Sequence, residues 1–286
     1  MKAVMSITAV LLALSGTATA QQGGYVDVNG LSMYHEVSGD GAPIIVLHGA
    51  YMNIPAMADV ITALAETRTV HALEFQGHGR TGDIDRPITY ENLADDVAAY
   101  MQAVDLPSAD VFGYSMGATA GLQLAIRHPE RVDRLVAISA SFDADGLHPT
   151  FQAFLPMMEV EMFLQMPFAE EYRALAPDPE AFPEVVRKLI ALEHEPMAWG
   201  AEVAALDLPV LIVTGDADVV SLSHSVDMFE RLGGGVMGDM GAPLPAARLT
   251  VLPGSSHTSL IAQTGLLMPM VDAFLADDFP AGAFGN

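Results

Sequence analysis

Cysteine is absent from the sequence, and positively charged residues are scarce. Without cysteine, disulfide bonds, lipidation on sulfur and a thiol nucleophile are all excluded. The 12 Lys and Arg residues stand against 36 Asp and Glu residues, which gives a formal net charge of −24. Such a charge repels nucleic acid and anionic lipid and disfavours polyanionic substrates. Solubility is one explanation of the charge, and a preference for neutral or cationic substrates is the other.

The N-terminal apolar run is shorter than the roughly 20 residues that a membrane-spanning helix needs. Lys2, the apolar stretch at 4–14 and the small residues at 18–20 follow the order of a signal peptide. We therefore predict that residues 1–20 are a signal peptide cleaved near Ala20, and that the protein is periplasmic or secreted. An uncleaved anchor is the alternative, and the short apolar run disfavours stable membrane insertion.

Short apolar runs alternate with helix-like segments along most of the chain. Two runs joined across Asn29-Gly30 predict a β-hairpin, because this pair tolerates the positive φ angles of a tight turn. The other predicted strands are 43–47, 69–73, 109–113, 135–139, 209–213 and 248–252. The predicted helices are 54–65, 90–103, 116–126, 224–232 and 259–274. This alternation predicts an α/β fold with a doubly wound, mostly parallel sheet.

The alternation stops over residues 142–206, where a helical stretch rich in Pro and acidic residues interrupts it. We predict a helical cap at 142–206, inserted into a core formed by 21–141 and 207–286. The interrupting stretch is crowded with Met and Phe, namely Met157, Met158, Met162, Phe163, Met166 and Phe168. These residues suggest an apolar, adaptable substrate pocket, and packing between cap and sheet is the structural explanation of the same set.

Residues Gly113-Tyr114-Ser115-Met116-Gly117 match the pattern G-x-S-x-G at the junction of a predicted strand and a predicted helix. A sharp turn at this junction exposes the serine in a strained conformation, and side chains at the two glycines would clash with their neighbours. The start of the helix favours the negative charge that develops during nucleophilic attack. The context therefore predicts Ser115 as a catalytic nucleophile.

A serine hydroxyl needs a base and an acid, which in a fold of this kind follow it in the order acid, then His. His257 is the only histidine after Ser115 that lies in a loop just past a late core strand, so we predict it as the base. Asp218 is the preferred acid because it follows the strand at 209–213. Asp216 and Asp143 are the alternatives, and we expect Asp216 to complete its own turn.

A negatively charged tetrahedral intermediate needs two hydrogen-bond donors that are in place beforehand. Met116, the residue after the nucleophile, supplies one backbone N–H, and Ala50 in the loop after the first parallel strand is our prediction for the second. His48 lies in the same loop but precedes the nucleophile, and we predict that it only braces the loop.

We predict neither a metal nor another cofactor. His71, Glu74 and His78 are the one candidate ligand set, and they straddle a strand end and a Gly-rich turn without a fixed ligand geometry.

Several motifs taken together resemble the α/β-hydrolase superfamily. They are His48-Gly49, the run Phe75-Gln76-Gly77-His78-Gly79-Arg80-Thr81, the Gly-Tyr-Ser-Met-Gly turn, Arg127-His128-Pro129-Glu130-Arg131-Val132, Gly215-Asp216-Ala217-Asp218 and Gly254-Ser255-Ser256-His257. The likeness covers about residues 25–274, and it is greatest to the capped esterase, lactonase and C–C hydrolase branch. It implies an α/β-hydrolase sheet with a helical cap.

The function that we predict is hydrolysis of a carboxylic ester, or a lactone, through an acyl-enzyme. The expected substrate is a small, apolar and neutral ester. Amide or peptide hydrolysis, C–C bond hydrolysis and a non-catalytic binding role on the same scaffold are the alternatives. The sequence does not fix the oligomeric state.

Overall fold

A single eight-stranded sheet organises the molecule. The computed structural model describes residues 22–240 and 244–277, so the predicted signal peptide at 1–20 lies outside the described residues. The strand order is β1-β2-β4-β3-β5-β6-β7-β8. The strands are β1 (Gln22–Val28), β2 (Leu31–Ser38), β3 (Ala42–Leu47), β4 (Arg68–Leu73), β5 (Ala109–Tyr114), β6 (Val132–Ile138), β7 (Val210–Ala217) and β8 (Arg248–Ser256).

The first two strands form the predicted hairpin. Asn29 and Gly30, at its tip, have φ angles of 49° and 84°, as a tight turn of this hand requires. β2 is antiparallel to both β1 and β4, and every other neighbouring pair is parallel. The prediction of a mostly parallel sheet with a hairpin at the front is therefore confirmed.

Helices cover both faces of the sheet and connect its strands. They are α1 (Ala58–Leu64), α2 (Tyr90–Ala103), α3 (Met116–Arg127), α4 (Pro149–Phe154), α5 (Val160–Phe163), α6 (Pro167–Leu175), α7 (Phe182–Glu193), α8 (Gly200–Ala204), α9 (Leu222–Arg231), α10 (His257–Leu260) and α11 (Thr264–Leu275). None of the described helices is both long and apolar enough to cross a membrane.

The prediction of one final helix at 259–274 is wrong. Two helices, α10 and α11, stand there. Ser256 and Ser259 form a reciprocal capping box, and this box starts α10 at His257. The non-helical backbone of Gln263, with φ −89° and ψ 49°, then separates α10 from α11.

β3 shows why the apolar run at 43–47 is nearly continuous. Ile45 and Leu47 belong to the buried cluster that includes α2 and α3, whereas Ile44 and Val46 belong to the cluster that includes α1 and α11. A strand covered on both faces has no solvent side, so it needs no polar alternation. The doubly wound architecture follows from this two-sided burial.

Five helices, α4 to α8, lie between β6 and β7, in the segment predicted as a cap. Phe163 and Phe168 stack on Tyr51, with ring centroids 4.9 Å and 5.0 Å away. Met157 and Met166 are 58% and 45% exposed. The crowded Met and Phe residues of this segment therefore divide between packing on the core and exposure to solvent.

Candidate active site

Ser115 stands at the turn between β5 and α3 with φ 54° and ψ −122°, a strained conformation for a residue with a side chain. A Cβ atom at Gly113 would lie 2.6 Å from the Cα of Ala118, and one at Gly117 would lie 2.6 Å from the carbonyl oxygen of His48. Both glycines are therefore required by close backbone approach, as the pattern predicts. The strain holds the Ser115 hydroxyl clear of the sheet.

The structure brings Ser115, His257 and Asp218 together in one line of hydrogen bonds. His257 Nε2 lies 2.9 Å from Ser115 Oγ, and His257 Nδ1 lies 2.8 Å from Asp218 Oδ1. An ionised carboxylate can only accept, so Nδ1 carries the proton and Nε2 is free to accept one from the serine. The three residues predicted from the sequence thus have the geometry of a nucleophile, a base and an orienting acid.

Asp218 is held in its ionised form by its surroundings. Burial favours the neutral carboxyl, but hydrogen bonds and attraction from His257, the Ser139 hydroxyl and the Gly215 N–H outweigh burial and lower the pKa of Asp218 to about 2. Ser139 Oγ donates to Oδ2, and the Val219 N–H donates to Oδ1 at 2.7 Å. At neutral pH the carboxylate is therefore charged and fixed in orientation.

The two alternative acids have other partners. Asp216 is exposed, and instead of only completing its own turn it accepts hydrogen bonds from the N–H groups of Gly254 and Ser255, at 2.9 Å and 3.0 Å. These bonds lower its pKa. Asp143 accepts from the N–H of Asp145 at the start of a short 3-10 helix. Neither carboxylate is hydrogen-bonded to His257, although Asp216 fixes the strand end that leads to it.

The two predicted oxyanion donors lie at the start of α3 and in the loop after β3. Met116 lines the cavity beside Ser115 and begins α3. Ala50 follows Gly49, whose position is in close contact with the ring of Tyr114, next to the nucleophile. Among the described residues, no acceptor takes a hydrogen bond from either N–H. Neither N–H therefore has a competing acceptor, and their role in binding an oxyanion stays a prediction.

His48 is buried and joins two loops rather than facing the nucleophile. Its Nδ1 donates to the carbonyl oxygen of Gly49 at 2.7 Å, and its Nε2 accepts from the N–H of Phe75 at 3.2 Å. Burial, assisted by the neighbouring His78, lowers the pKa of His48 to about 3, so the ring is neutral. This arrangement is the bracing that we predict for His48.

The three residues considered as metal ligands each have a separate partner. His71 Nδ1 is 3.0 Å from the Tyr100 hydroxyl, Glu74 pairs with Arg80 at 3.1 Å, and His78 Nε2 accepts from the Tyr51 N–H at 3.2 Å. Within 22–240 and 244–277, no cluster of three or more His, Asp or Glu side chains has the arrangement of a metal site.

A cavity of about 460 Å³ opens onto Ser115 and His257, a volume suited to a small organic molecule. Much of its lining is apolar and comes from the cap segment and from the loop after β7, namely Leu147, Phe151, Leu155, Met197, Val219 and Val220. None of the six Met and Phe residues that suggested an apolar pocket from the sequence lines this cavity. The apolar wall is present, but other residues supply it.

Sequence reasoning missed two residues that position the triad. Tyr114 donates its hydroxyl to the carbonyl oxygen of His257 at 2.7 Å, and its ring stacks on the imidazole with centroids 5.2 Å apart. Ser139 directly follows β6 in a left-handed conformation, with φ 53°, and reaches Asp218 across the sheet. A serine at the last position of the predicted strand 135–139, beside the strand that carries the acid, is the signal that could have indicated Ser139.

It also missed two carboxyl groups in the cavity wall. Glu193 ends α7 and Glu195 follows two residues later, and both line the cavity. Acidic residues are common throughout this chain, so their positions in the sequence carried no distinguishing signal.

Comparisons with known proteins agree with this geometry. The family model described as the alpha/beta hydrolase fold matches residues 42–209. The 2-hydroxymuconate semialdehyde hydrolase of Pseudomonas sp. strain CF600 is 26% identical over 84% of this chain and 89% of its own length.

Solved structures resemble the whole described architecture. The enol-lactonase from Burkholderia xenovorans LB400 has a TM-score of 0.67 at 20% identity, over 88% of this chain and 100% of the other. The carboxylesterase CesB from Bacillus subtilis has a TM-score of 0.67 at 19% identity, over 91% of this chain and 93% of the other. At these identities the likeness establishes the fold.

Proposed function

This chain belongs to the α/β-hydrolase family, and from that premise we propose that it hydrolyses carboxylic esters, or lactones, through an acyl-enzyme. We assign Ser115 as the nucleophile, His257 as the general base and Asp218 as the acid that orients the base. One observation carries the proposal: the hydrogen bonds of 2.8 Å and 2.9 Å that run from Asp218 through His257 to Ser115, beside a cavity of about 460 Å³.

In the first half of the reaction, Ser115 Oγ bonds to the carbonyl carbon of the ester while His257 Nε2 takes the hydroxyl proton. The carbonyl π electrons move onto oxygen, and the N–H groups of Met116 and Ala50 stabilise the resulting oxyanion. When the intermediate collapses, the bond to the alcohol breaks and His257 returns its proton to the alkoxide. The acyl group is left on Ser115.

In the second half, His257 takes a proton from water as the water oxygen attacks the acyl carbon. The bond to Ser115 Oγ then breaks, Ser115 regains a proton from His257, and the carboxylic acid leaves. Asp218 stays ionised throughout, because its pKa of about 2 lies far below neutral pH. Its charge stabilises the imidazolium that forms in each half.

The composition of the cavity favours an ester over the substrates of C–C hydrolases. Its lining combines apolar side chains with two carboxyl groups and, within the described residues, contains neither Lys nor Arg. A substrate with its own carboxylate, such as a hydroxymuconate semialdehyde, would be repelled by Glu193 and Glu195 without a compensating cation. A small ester or lactone with an apolar portion meets no such penalty.

Two alternatives use the same residues. Amide or peptide hydrolysis shares the mechanism and differs in the leaving group, and the loop His48-Gly49-Ala50 is less rich in Gly than the peptidase branch usually shows. A purely binding role would not explain the hydrogen bonds that run from Asp218 through His257 to Ser115.

We further propose, from the pattern of residues 1–20 alone, that the protein acts in the periplasm or outside the cell. N-terminal sequencing of the protein from that compartment tests this, and the expected mature terminus follows Ala20.

The reaction itself is tested by labelling with a fluorophosphonate probe and by assays on p-nitrophenyl esters, acyl lactones and p-nitroanilides at about pH 7.5. We expect the probe to modify Ser115 and the esters or lactones to be hydrolysed faster than the anilides. Labelling at another residue, or hydrolysis of anilides alone, would contradict the proposal.

A further inference from the structure

The cavity wall formed by the end of the α7 helix has carboxyl groups without partners. The Glu193 side chain forms neither a hydrogen bond nor an ion pair with any described residue. The Oε2 atom of Glu195 is buried and has no hydrogen-bond partner. Removing a carboxylate from water without a partner destabilises a folded protein, so groups of this kind are uncommon unless they serve a ligand. We call these two residues the acidic wall.

The electrostatic surroundings of the acidic wall contain little positive charge. Burial raises the pKa of Glu193, and attraction to His257 and His194 opposes that rise. Burial and the neighbouring Glu91 raise the pKa of Glu195. The described cavity is lined by His194 and His257 but by no Lys or Arg side chain, so a cation on an entering molecule would add a permanent positive charge that the wall lacks.

Aromatic rings line the same cavity as the two carboxyl groups. Tyr90 is one of them, and burial, together with the charges of Glu193 and Glu195, raises its pKa. Phe151 is a second aromatic residue of the lining. The face of an aromatic ring attracts cations, and most strongly where water is excluded. Carboxylates beside aromatic rings are a suitable environment for an alkylammonium group.

We propose that Glu193, assisted by Glu195, selects ester substrates that carry a cationic ammonium group, which the acidic wall binds while the ester carbonyl lies at Ser115. This inference rests on the proposed ester hydrolysis and departs from the expectation of a neutral substrate. The net charge of −24 attracts any cation to the protein as a whole. The experiment must therefore separate the acidic wall from the general charge.

The experiment uses pairs of esters that differ only in charge. One pair is acetylcholine and its carbon isostere, in which a tert-butyl group replaces the trimethylammonium group. The other is the p-nitrophenyl ester of γ-trimethylammoniobutyrate and its tert-butyl isostere. The first pair places the charge on the leaving group and the second on the acyl group, so kcat/KM for both pairs covers either orientation in the cavity.

The variants are Glu193→Gln, Glu195→Gln and the control Glu184→Gln. Glu184 lies on the same helix but is exposed and pairs with Arg187 at 2.6 Å, so its change alters the total charge equally without touching the cavity. We expect the parent to prefer the cationic member of at least one pair about tenfold or more in kcat/KM. Glu193→Gln should lower kcat/KM for the cationic ester about tenfold more than for the neutral ester, while Glu184→Gln changes neither value.

Three outcomes would overturn the inference while ester hydrolysis stands: no preference for the cation in either pair, a preference unchanged in Glu193→Gln, or an equal loss for both members of a pair. The last outcome would mean that Glu193 acts on His257 rather than on the substrate. If the parent hydrolyses neither pair nor p-nitrophenyl acetate, and the fluorophosphonate probe does not label Ser115, the proposed function fails together with this inference.

Discussion

The core side and the cap side of the cavity differ in how their polar groups are satisfied. On the core side, Asp218 accepts hydrogen bonds from His257, Ser139 and backbone N–H groups, and each donor has a fixed position at a strand end. On the cap side, the Glu195 Oε2 atom is buried without a partner. A fully satisfied group can be held in one geometry before substrate arrives, whereas an unsatisfied group gains its partner from the ligand. We infer that the core side supplies the chemistry and the cap side supplies the selection.

The largest expected effect comes from removing the nucleophile on the core side. Ser115→Ala should leave the fold intact and lower kcat by about 10³-fold or more, because no other hydroxyl in the described part of the chain is hydrogen-bonded to the imidazole ring of His257. Steady-state kinetics with circular dichroism as the folding check measures this. His48→Ala is the matched control, since His48 braces a loop and should leave measurable turnover. Activity of Ser115→Ala within tenfold of the parent would refute the assignment.

Replacing the acid should have the next largest effect. Asp218→Asn keeps the size of the side chain but can hold the His257 ring in the wrong tautomer, so kcat should fall by about 10²- to 10⁴-fold with a smaller change in KM. Asp216→Asn is the matched control because it removes the same charge two residues away.

Asp216→Asn keeps only one of the two acceptors for Gly254 and Ser255, so a small decrease in melting temperature with little loss of kcat is expected. A large loss of kcat confined to Asp216→Asn would move the role of acid to that residue. Small losses of kcat in both variants would make Asp143 the candidate for the acid.

A smaller effect is expected at Ser139, which orients Asp218 without contacting substrate. Ser139→Ala removes the hydroxyl that donates to Oδ2 and should lower kcat about tenfold, with KM nearly unchanged. The loss of that donor should also raise the pKa of Asp218 above its value of about 2, which NMR of the labelled carboxyl group measures. Thr214→Val is the control, because the Thr214 hydroxyl lies 3.4 Å from the same oxygen and its loss should matter less. An unchanged pKa of Asp218 in Ser139→Ala would reduce Ser139 to a packing role.

The smallest expected effect is on the stability of the cap side. Because burial raises the pKa of Glu193, its ionised form destabilises the folded state at pH values above that raised pKa, and this cost disappears below the ordinary pKa of Glu. Glu193→Gln should therefore raise the melting temperature by roughly 2 °C at neutral pH, and the gain should vanish in acid. Melting curves at both pH values, with Glu184→Gln as the control, test this. A lower melting temperature in Glu193→Gln would mean that the carboxylate already has a stabilising partner.

The core was predictable because short-range sequence patterns determine its strands, turns and helices. Apolar runs, the Asn29-Gly30 turn and the strand-to-helix context of Ser115 each depend on a few neighbouring residues, and the order of acid and base follows from the succession of strands. The contacts that the sequence did not reveal join distant segments. Ser139 and Asp218 are 79 residues apart and Tyr114 and His257 are 143 apart, and each pair meets only because the sheet aligns the carboxyl ends of its strands.

The helical cap was less predictable, because no periodic pattern in its sequence shows where each side chain lies. The six Met and Phe residues between 157 and 168 fit a pocket wall, a core contact and an exposed surface equally well, and none of them lines the cavity. The break between α10 and α11 was missed for a related reason. Apolar residues continue up to the break, and the non-helical backbone of Gln263, which separates the two helices, has no marker in the sequence.

Tyr114 has a consequence for how variation at this site should be interpreted. The pattern G-x-S-x-G treats the position before the nucleophile as free, yet here its side chain bonds the backbone of His257 and stacks on its ring. A change at position 114 therefore displaces the base while leaving every residue named by the motif intact. In a saturation library, few substitutions at 114 should survive selection for activity, so natural variation at this position would have to be accompanied by a change in the loop that carries His257.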